Sequence, residues 1–158
     1  MKRLITLSIL LVVGTGAIGV ALGSVSQEPG PVTIQTMDVR ENLYVISGGG
    51  GHTAALVTDG YGVVLVDTKL AGWGRPILEA IQAITNEPVT VIINTHSHGD
   101  HVGGNTDFPS QVEIIAQVNT AANMERMKTF IGDGEQFLPD RTFDDRLTLF
   151  DGRDQIDL

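Results

Sequence analysis

The feature that most constrains the fold is the stretch NTHSHGDHVGG, which runs from Asn94 to Gly104. It places His96, His98, Asp100 and His101 within six residues, and three of the chain's four histidines are among them. Imidazole and carboxylate groups are common ligands of zinc and similar metals. The alternative is a polar loop with solvated side chains. One histidine alone would favour that alternative, but four potential ligands at this spacing favour metal binding.

The spacing within this stretch predicts two metal positions. Residues two apart on an extended backbone point to the same side, so His96 and His98 can bind one ion. Asp100 and His101 follow Gly99, where the chain can turn, and can face a second position. The preceding run VTVII, residues 89–93, predicts a strand that carries the histidines at its carboxyl end, where sites form in sheets flanked by helices.

The segment THSHGDHVGG resembles the signature loop of the metallo-β-lactamase superfamily. That superfamily includes zinc β-lactamases, glyoxalase II-type thioesterases, lactonases and di-iron redox proteins. The resemblance extends over residues 32–158 and implies an α/β (α+β) fold class, the αββα sandwich. It implies that His96 and His98 bind the first metal and that Asp100 and His101 bind the second.

Two further residues are candidates for roles around that site. Asp67 ends the apolar run VVLVDT, and the resemblance implies that it holds the metal loop through hydrogen bonds; the alternative is an ordinary strand-end carboxylate. His52 follows the glycine turn SGGGG of residues 47–51, whose position resembles a flexible hairpin that borders the active site in the family. His52 is either a substrate contact or a surface histidine, and we do not expect it to be a ligand.

The resemblance implies a binuclear zinc hydrolase with a small-molecule substrate. Metal-bound hydroxide would attack the carbonyl of an amide, lactone or thioester. Asp100 would orient this nucleophile and pass a proton to the leaving group. Iron is the alternative metal, because the same ligand types bind it. The alternative functions are a di-iron redox enzyme, a non-catalytic zinc-binding exported domain and an inactive fragment.

The composition of the chain limits its possible partners and the kinds of metal site that it can form. The chain has 19 acidic and 10 basic residues, and only 8 basic ones remain when Lys2 and Arg3 are set aside. This acidic balance argues against nucleic acid as a partner. The absence of cysteine excludes a disulfide framework and any zinc site with a thiolate ligand.

The first residues predict export. Residues 1–26 combine Lys2 and Arg3 with the uncharged run 4–23, which indicates a signal peptide or, as the alternative, an uncleaved N-terminal membrane anchor. Either would place the protein in the periplasm or outside the cell. Residues 27–31, QEPGP, are predicted to be a linker, and residues 32–158 form the expected domain.

The chain departs from the family pattern after the motif. The family takes a third histidine, a bridging aspartate and a last histidine from later loops, but no histidine follows His101. We therefore expect the N-terminal half of the sandwich, incomplete at its C-terminus, with four of the family's ligands. The alternative is a short protein that completes its site as a homo-oligomer.

Elsewhere the pattern predicts an ordinary α/β layout. A helix is expected from the turn at Pro76 to Glu87, and a second one over residues 118–130, where apolar residues recur every three positions. Strands are predicted at 32–37, 42–47, 53–58, 62–68 and 112–116, and a hairpin at 147–158.

Overall fold

A computed structural model describes residues 33–36 and 42–158 of the protein. The predicted signal or anchor, residues 1–26, and the predicted linker, residues 27–31, lie outside the described residues. Within the described residues, no helix is both long and apolar enough to cross a bilayer.

Seven strands form one mixed sheet whose spatial order follows the order in the chain. The first four strands pair antiparallel, and the pairs from the fourth to the seventh are parallel. The strands are β1 (Thr33–Thr36), β2 (Leu43–Ser47), β3 (Thr53–Val57), β4 (Val63–Val66), β5 (Val89–Asn94), β6 (Glu113–Gln117) and β7 (Arg141–Phe143). All of them except β7 match predicted strands.

The centre of the sheet is buried on both faces, as expected for continuous apolar strands. Leu65 of β4 and Ile92 of β5 are fully buried against the helix-covered face. Val64 and Ile93 point the other way, where the hairpin of β8 (Thr148–Leu149) and β9 (Ile156–Asp157) contributes Leu149. This hairpin confirms the prediction for residues 147–158.

The first helix, α1 (Gly74–Gln82), covers one face of the sheet with Ile77 and Ile81, which are both buried. Its predicted end at Glu87 was wrong. The backbone amides of Ile84 and Thr85 both donate to the carbonyl of Ile81, which closes a tight turn directly after the helix. The helix therefore stops at Gln82, several residues before Pro88.

The second predicted helix was also too long. A short helix, α2 (Gly99–Val102), forms a single turn within the motif. The helix predicted over residues 118–130 corresponds to α3 (Val118–Met124), which ends well before Phe130. Residues spaced by three fall about 60° short of a full helical turn at each step, so residues 118–130 cannot share one face. The chain instead turns after Met124, and this turn lets Met124 and Phe130 pack in one cluster with Val102.

β7 was missed by the sequence analysis. Its three residues are RTF, and Arg141 and Thr142 are exposed, so no alternation marks it. It forms because β6 offers it a parallel partner, and the Asp140 carboxylate, directly before β7, accepts a hydrogen bond from the amide of Ile114 at 2.8 Å.

Candidate metal centre

The motif lies at the carboxyl end of β5, as predicted. β4 and β5 are parallel neighbours, so Asp67, which follows β4, comes next to the histidine loop that follows β5. The chain bends at Thr95 and His96 directly after β5 and is extended again at His98, with φ of −69° and ψ of 145°, before α2 begins at Gly99. The predicted turn at Gly99 is present, but the extended stretch expected to carry both His96 and His98 is interrupted by the bend at Thr95 and His96.

The three motif histidines form one cluster. The ring centroids of His96 and His98 are 4.7 Å apart in an edge-on arrangement, and those of His96 and His101 are 3.9 Å apart. Asp100 borders this cluster, with its Oδ2 atom 3.5 Å from Nε2 of His101. The structure thus brings together all four residues that the sequence singled out as ligands.

Asp67 connects to this cluster directly. Its Oδ2 atom lies 2.7 Å from Nδ1 of His101, although 34 residues separate the two. Asp67 is 5% exposed and has a φ of 64°, a left-handed conformation that is uncommon for residues other than glycine. Because a carboxylate accepts hydrogen bonds, this contact favours the tautomer that carries its proton on Nδ1 and offers Nε2 to a ligand. This is the arrangement in which histidines bind metals.

Thr95 extends the reach of Asp67 to a second histidine. The Thr95 amide donates to Oδ1 of Asp67 at 2.8 Å, and its hydroxyl donates to Oδ2 at 2.7 Å. The same hydroxyl lies 3.0 Å from Nδ1 of His96. The sequence analysis quoted Thr95 within the motif but gave it no role. Its position directly before His96, at the end of a predicted strand, was the available signal.

A buried polar network fixes the rest of the loop. The Thr68 hydroxyl donates to Oδ1 of Asn105 at 2.7 Å, and Nδ2 of Asn105 donates to Oδ1 of Asn94 at 2.8 Å. The Thr68 amide also donates to the carbonyl of His101 at 2.7 Å. Since buried polar groups are costly when unpaired, these mutual bonds favour one arrangement of the loop.

The two glycines that end the motif are needed for close packing. A Cβ atom on Gly104 would lie 2.1 Å from the Thr68 carbonyl oxygen, and one on Gly103 would lie 2.7 Å from the Ala71 amide nitrogen. These glycines allow the motif to pack against the segment that follows β4.

Lys69 is a buried side chain beside this site that the sequence analysis did not consider. Its exposure is 0%, and its ammonium donates to the carbonyl of Gly51 in the glycine turn. Burial lowers the pKa of Lys69 from 10.5 to about 8. Its only sequence signal was a lysine directly after an apolar strand end.

His52 directly follows the glycine turn. It is exposed, and its Nδ1 atom is 3.1 Å from the Ser47 hydroxyl, across the turn. This contact holds the His52 ring within the hairpin, apart from the cluster of His96, His98 and His101.

The donor chemistry of the cluster suits a divalent metal, although its atoms are not converged. Within residues 33–36 and 42–158, no three His, Cys, Asp or Glu side chains stand ready to hold one ion. His98 is exposed, and the Asp100 side chain is 48% exposed, so these groups are free to rotate. Asp67 already orients the imidazole of His101. In histidine–metal sites a hydrogen bond of this kind fixes the ring before the metal binds.

Comparison with known proteins identifies the family. Residues 47–156 match the family model of the metallo-beta-lactamase superfamily. The chain belongs to this superfamily. The resemblance predicted from the THSHGDHVGG loop is confirmed, as is the expected mixed fold of a sheet flanked by helices.

The chain covers only part of the length of each of the following members of the superfamily. The chain is 34% identical over 90 residues to a hydroxyacylglutathione hydrolase of Rhizobium meliloti, which covers 51% of this chain and 34% of that protein. A metallo-beta-lactamase from Pontibacter korlensis has a TM-score of 0.63 at 20% identity, over 80% of this chain and 59% of that one. A class B3 di-zinc metallo-beta-lactamase from an Alaskan soil metagenome has a TM-score of 0.57 at 24% identity, over 72% and 47%.

The contact between Asp67 and His101 predicts the tautomer of His101. Above the pH range in which histidine titrates, heteronuclear NMR should find the proton of His101 on Nδ1. In Asp67→Gly, which accepts the φ of 64° and removes the carboxylate, this preference should be lost. His52, whose Nδ1 atom faces the Ser47 hydroxyl and not a carboxylate, serves as the internal control. A proton on Nε2 of His101 in the unaltered protein would contradict the assignment.

The burial of Lys69 predicts a pH-dependent stability. From about pH 8 to 10.5 the unfolded chain keeps the Lys69 proton while the folded chain has lost it. The free energy of unfolding of the unaltered protein relative to Lys69→Met should therefore rise with pH over this range. Below about pH 8 the folded chain also keeps this proton, so the free-energy cost of burying the charge is fully present. Urea unfolding at several pH values measures the difference. The exposed Lys128→Met is the matched control, and a difference that stays flat with pH would contradict the burial.

Proposed function

We propose that the whole protein is a metal-dependent hydrolase with a binuclear zinc site that acts on the carbonyl of an amide, lactone or thioester. The observation that supports this most strongly is the state of His101. Its Nδ1 atom is held by a buried carboxylate, while its Nε2 atom faces Asp100 and its ring contacts that of His96. A purely structural histidine would not need a ring oriented through Nδ1 with its other nitrogen beside a second potential ligand, Asp100.

The chain's own residues have distinct tasks in this proposal. His96 and His98 would hold one ion, and Asp100 and His101 would hold the second. When bound, zinc polarises a carbonyl group and lowers the pKa of a coordinated water. Asp67 fixes the imidazole of His101 and, through Thr95, restrains that of His96.

Asp100 is the proposed catalytic residue. Its carboxylate is 48% exposed and lies at the border of the histidine cluster, so water and substrate can reach it. It can accept a hydrogen bond from the attacking water and carry a proton to the leaving group. Its place in a helical turn between His98 and His101 keeps it beside them.

The substrate class follows from the relatives and from charge. The hydroxyacylglutathione hydrolase and metallo-beta-lactamases among the relatives support a small carbonyl substrate, and the acidic composition fits a neutral or cationic one. We also propose that the protein is exported, on the pattern of residues 1–26. Iron in place of zinc remains the alternative metal in this proposal.

Replacement of Asp100 provides the functional test. The full chain, supplied with zinc, would be assayed against a thioester, a lactone and a β-lactam. Asp100→Asn should lower kcat by about 10² to 10⁴-fold, the usual contribution of a positioned acid or base, while far-UV circular dichroism stays unchanged. The exposed Asp133→Asn is the matched control. Turnover by Asp100→Asn at the control's rate, with normal metal content, would contradict the role.

A further inference from the structure

The glycine turn, residues 47–51, forms a wall beside the histidine cluster. A Cβ atom on Gly51 would lie 3.1 Å from the Asp100 carbonyl oxygen and 3.8 Å from Nε2 of His101. One on Gly50 would lie 4.0 Å from the Cβ atom of Asp100. The turn therefore adjoins the nitrogen of His101 that is free for a ligand, and any substrate at that nitrogen passes this wall.

Glycine turns have many accessible conformations, because each residue tolerates both signs of φ. Gly48, Gly49 and Gly50 all have positive φ values here, of 114°, 64° and 99°. A turn of this composition needs contacts from outside if it is to keep one shape beside a site. The structure supplies two such contacts, one at Gly51 and one at Gly49.

The first contact is the ammonium of Lys69 on the carbonyl of Gly51. Lysine is rarely buried, yet this side chain is fully buried and its backbone has a φ of 66°. Its partner is a carbonyl group 18 residues away and not a carboxylate. This hydrogen bond stabilises the position of the turn, because loss of the bond would leave the buried ammonium of Lys69 without its carbonyl partner.

The second contact is the indole of Trp73 against Gly49. A Cβ atom on Gly49 would lie 1.7 Å from Cζ2 of Trp73, so the backbone of the turn rests directly on the ring. Trp73 is 5% exposed and is the chain's single tryptophan. Lys69 and Trp73 both follow β4, so the segment that presents Asp67 to His101 also holds the turn.

We propose that Lys69 is a positioning residue that fixes the glycine turn against Asp100 and His101, giving the substrate cleft one wall of constant shape. The turn of this protein is thus tethered and not a freely moving flap. Substrate contacts with the wall are made equally before and during the reaction. Loss of the tether should therefore weaken substrate binding more than it slows the chemical step.

Trp73 fluorescence tests the tether without any need for activity. Lys69→Met removes the donor and keeps an unbranched side chain of similar length. Acrylamide quenching of Trp73 in the full chain should increase about twofold or more, because release of the turn uncovers the ring. Lys128→Met, the same change at an exposed site, should quench like the unaltered protein. Equal quenching in all three proteins would overturn the proposal.

A second variant displaces the turn while Lys69 stays intact. Gly49→Ala places a methyl group into the Trp73 ring and should raise the quenching as Lys69→Met does. The double variant should exceed neither single variant, because both changes release the same element. If Lys69→Met does not fold, Lys69→Leu, which also lacks a donor, takes its place in the quenching comparison, and quenching equal to that of the unaltered protein would contradict the proposal.

The kinetic arm rests on the proposed hydrolase function. With a hydrolysed substrate of the panel, Lys69→Met and Gly49→Ala should raise KM by about tenfold and change kcat by less than about twofold. A fall in kcat with KM unchanged would overturn the positioning role. If the unaltered protein hydrolyses no substrate, the proposed function fails, and the quenching result still decides whether Lys69 holds the turn.

Discussion

The structure of the site depends on the carboxylate of Asp67. Buried at the end of β4, it accepts from Nδ1 of His101 and from both the amide and the hydroxyl of Thr95, which in turn contacts His96. Hydrogen bonds to a charged group contribute about 1.5–3 kcal/mol each, which is enough to hold the left-handed backbone of Asp67. One side chain therefore contacts one imidazole directly and a second one through Thr95, both in the segment that follows the neighbouring strand β5.

The sheet makes this interaction possible. β4 and β5 are parallel neighbours at the buried centre, so the segments that follow them emerge side by side at one edge. Thr68, Asn105 and Asn94 then join the two segments by buried hydrogen bonds, and Lys69 and Trp73 connect the same region to the glycine turn. Three loops therefore meet at the site. Their buried polar contacts fix its geometry, and their exposed surface does not.

Local patterns were sufficient for much of this picture. The apolar runs VVLV and VTVII and the histidine spacing predicted the central strands and the cluster, because each depends on neighbours in sequence. The roles of Thr95 and Lys69 depend on residues 28 and 18 positions away, which no local pattern reveals. The helix ends at Gln82 and Met124 were missed for a related reason: apolar spacing does not show where tertiary packing turns the chain. The ligand and bracing roles themselves stay predictions.

The central claim is that Asp67 prepares the histidine cluster for a divalent metal. It is tested most directly by the zinc affinity of the full chain and of Asp67→Gly, measured by competition with a chromophoric chelator. Glycine accepts the φ of 64°, so the backbone is spared and only the carboxylate is lost. The account predicts that zinc binds the unaltered protein and binds the variant about 10–100-fold more weakly. Equal affinities would contradict it, as would failure of the unaltered protein to bind zinc.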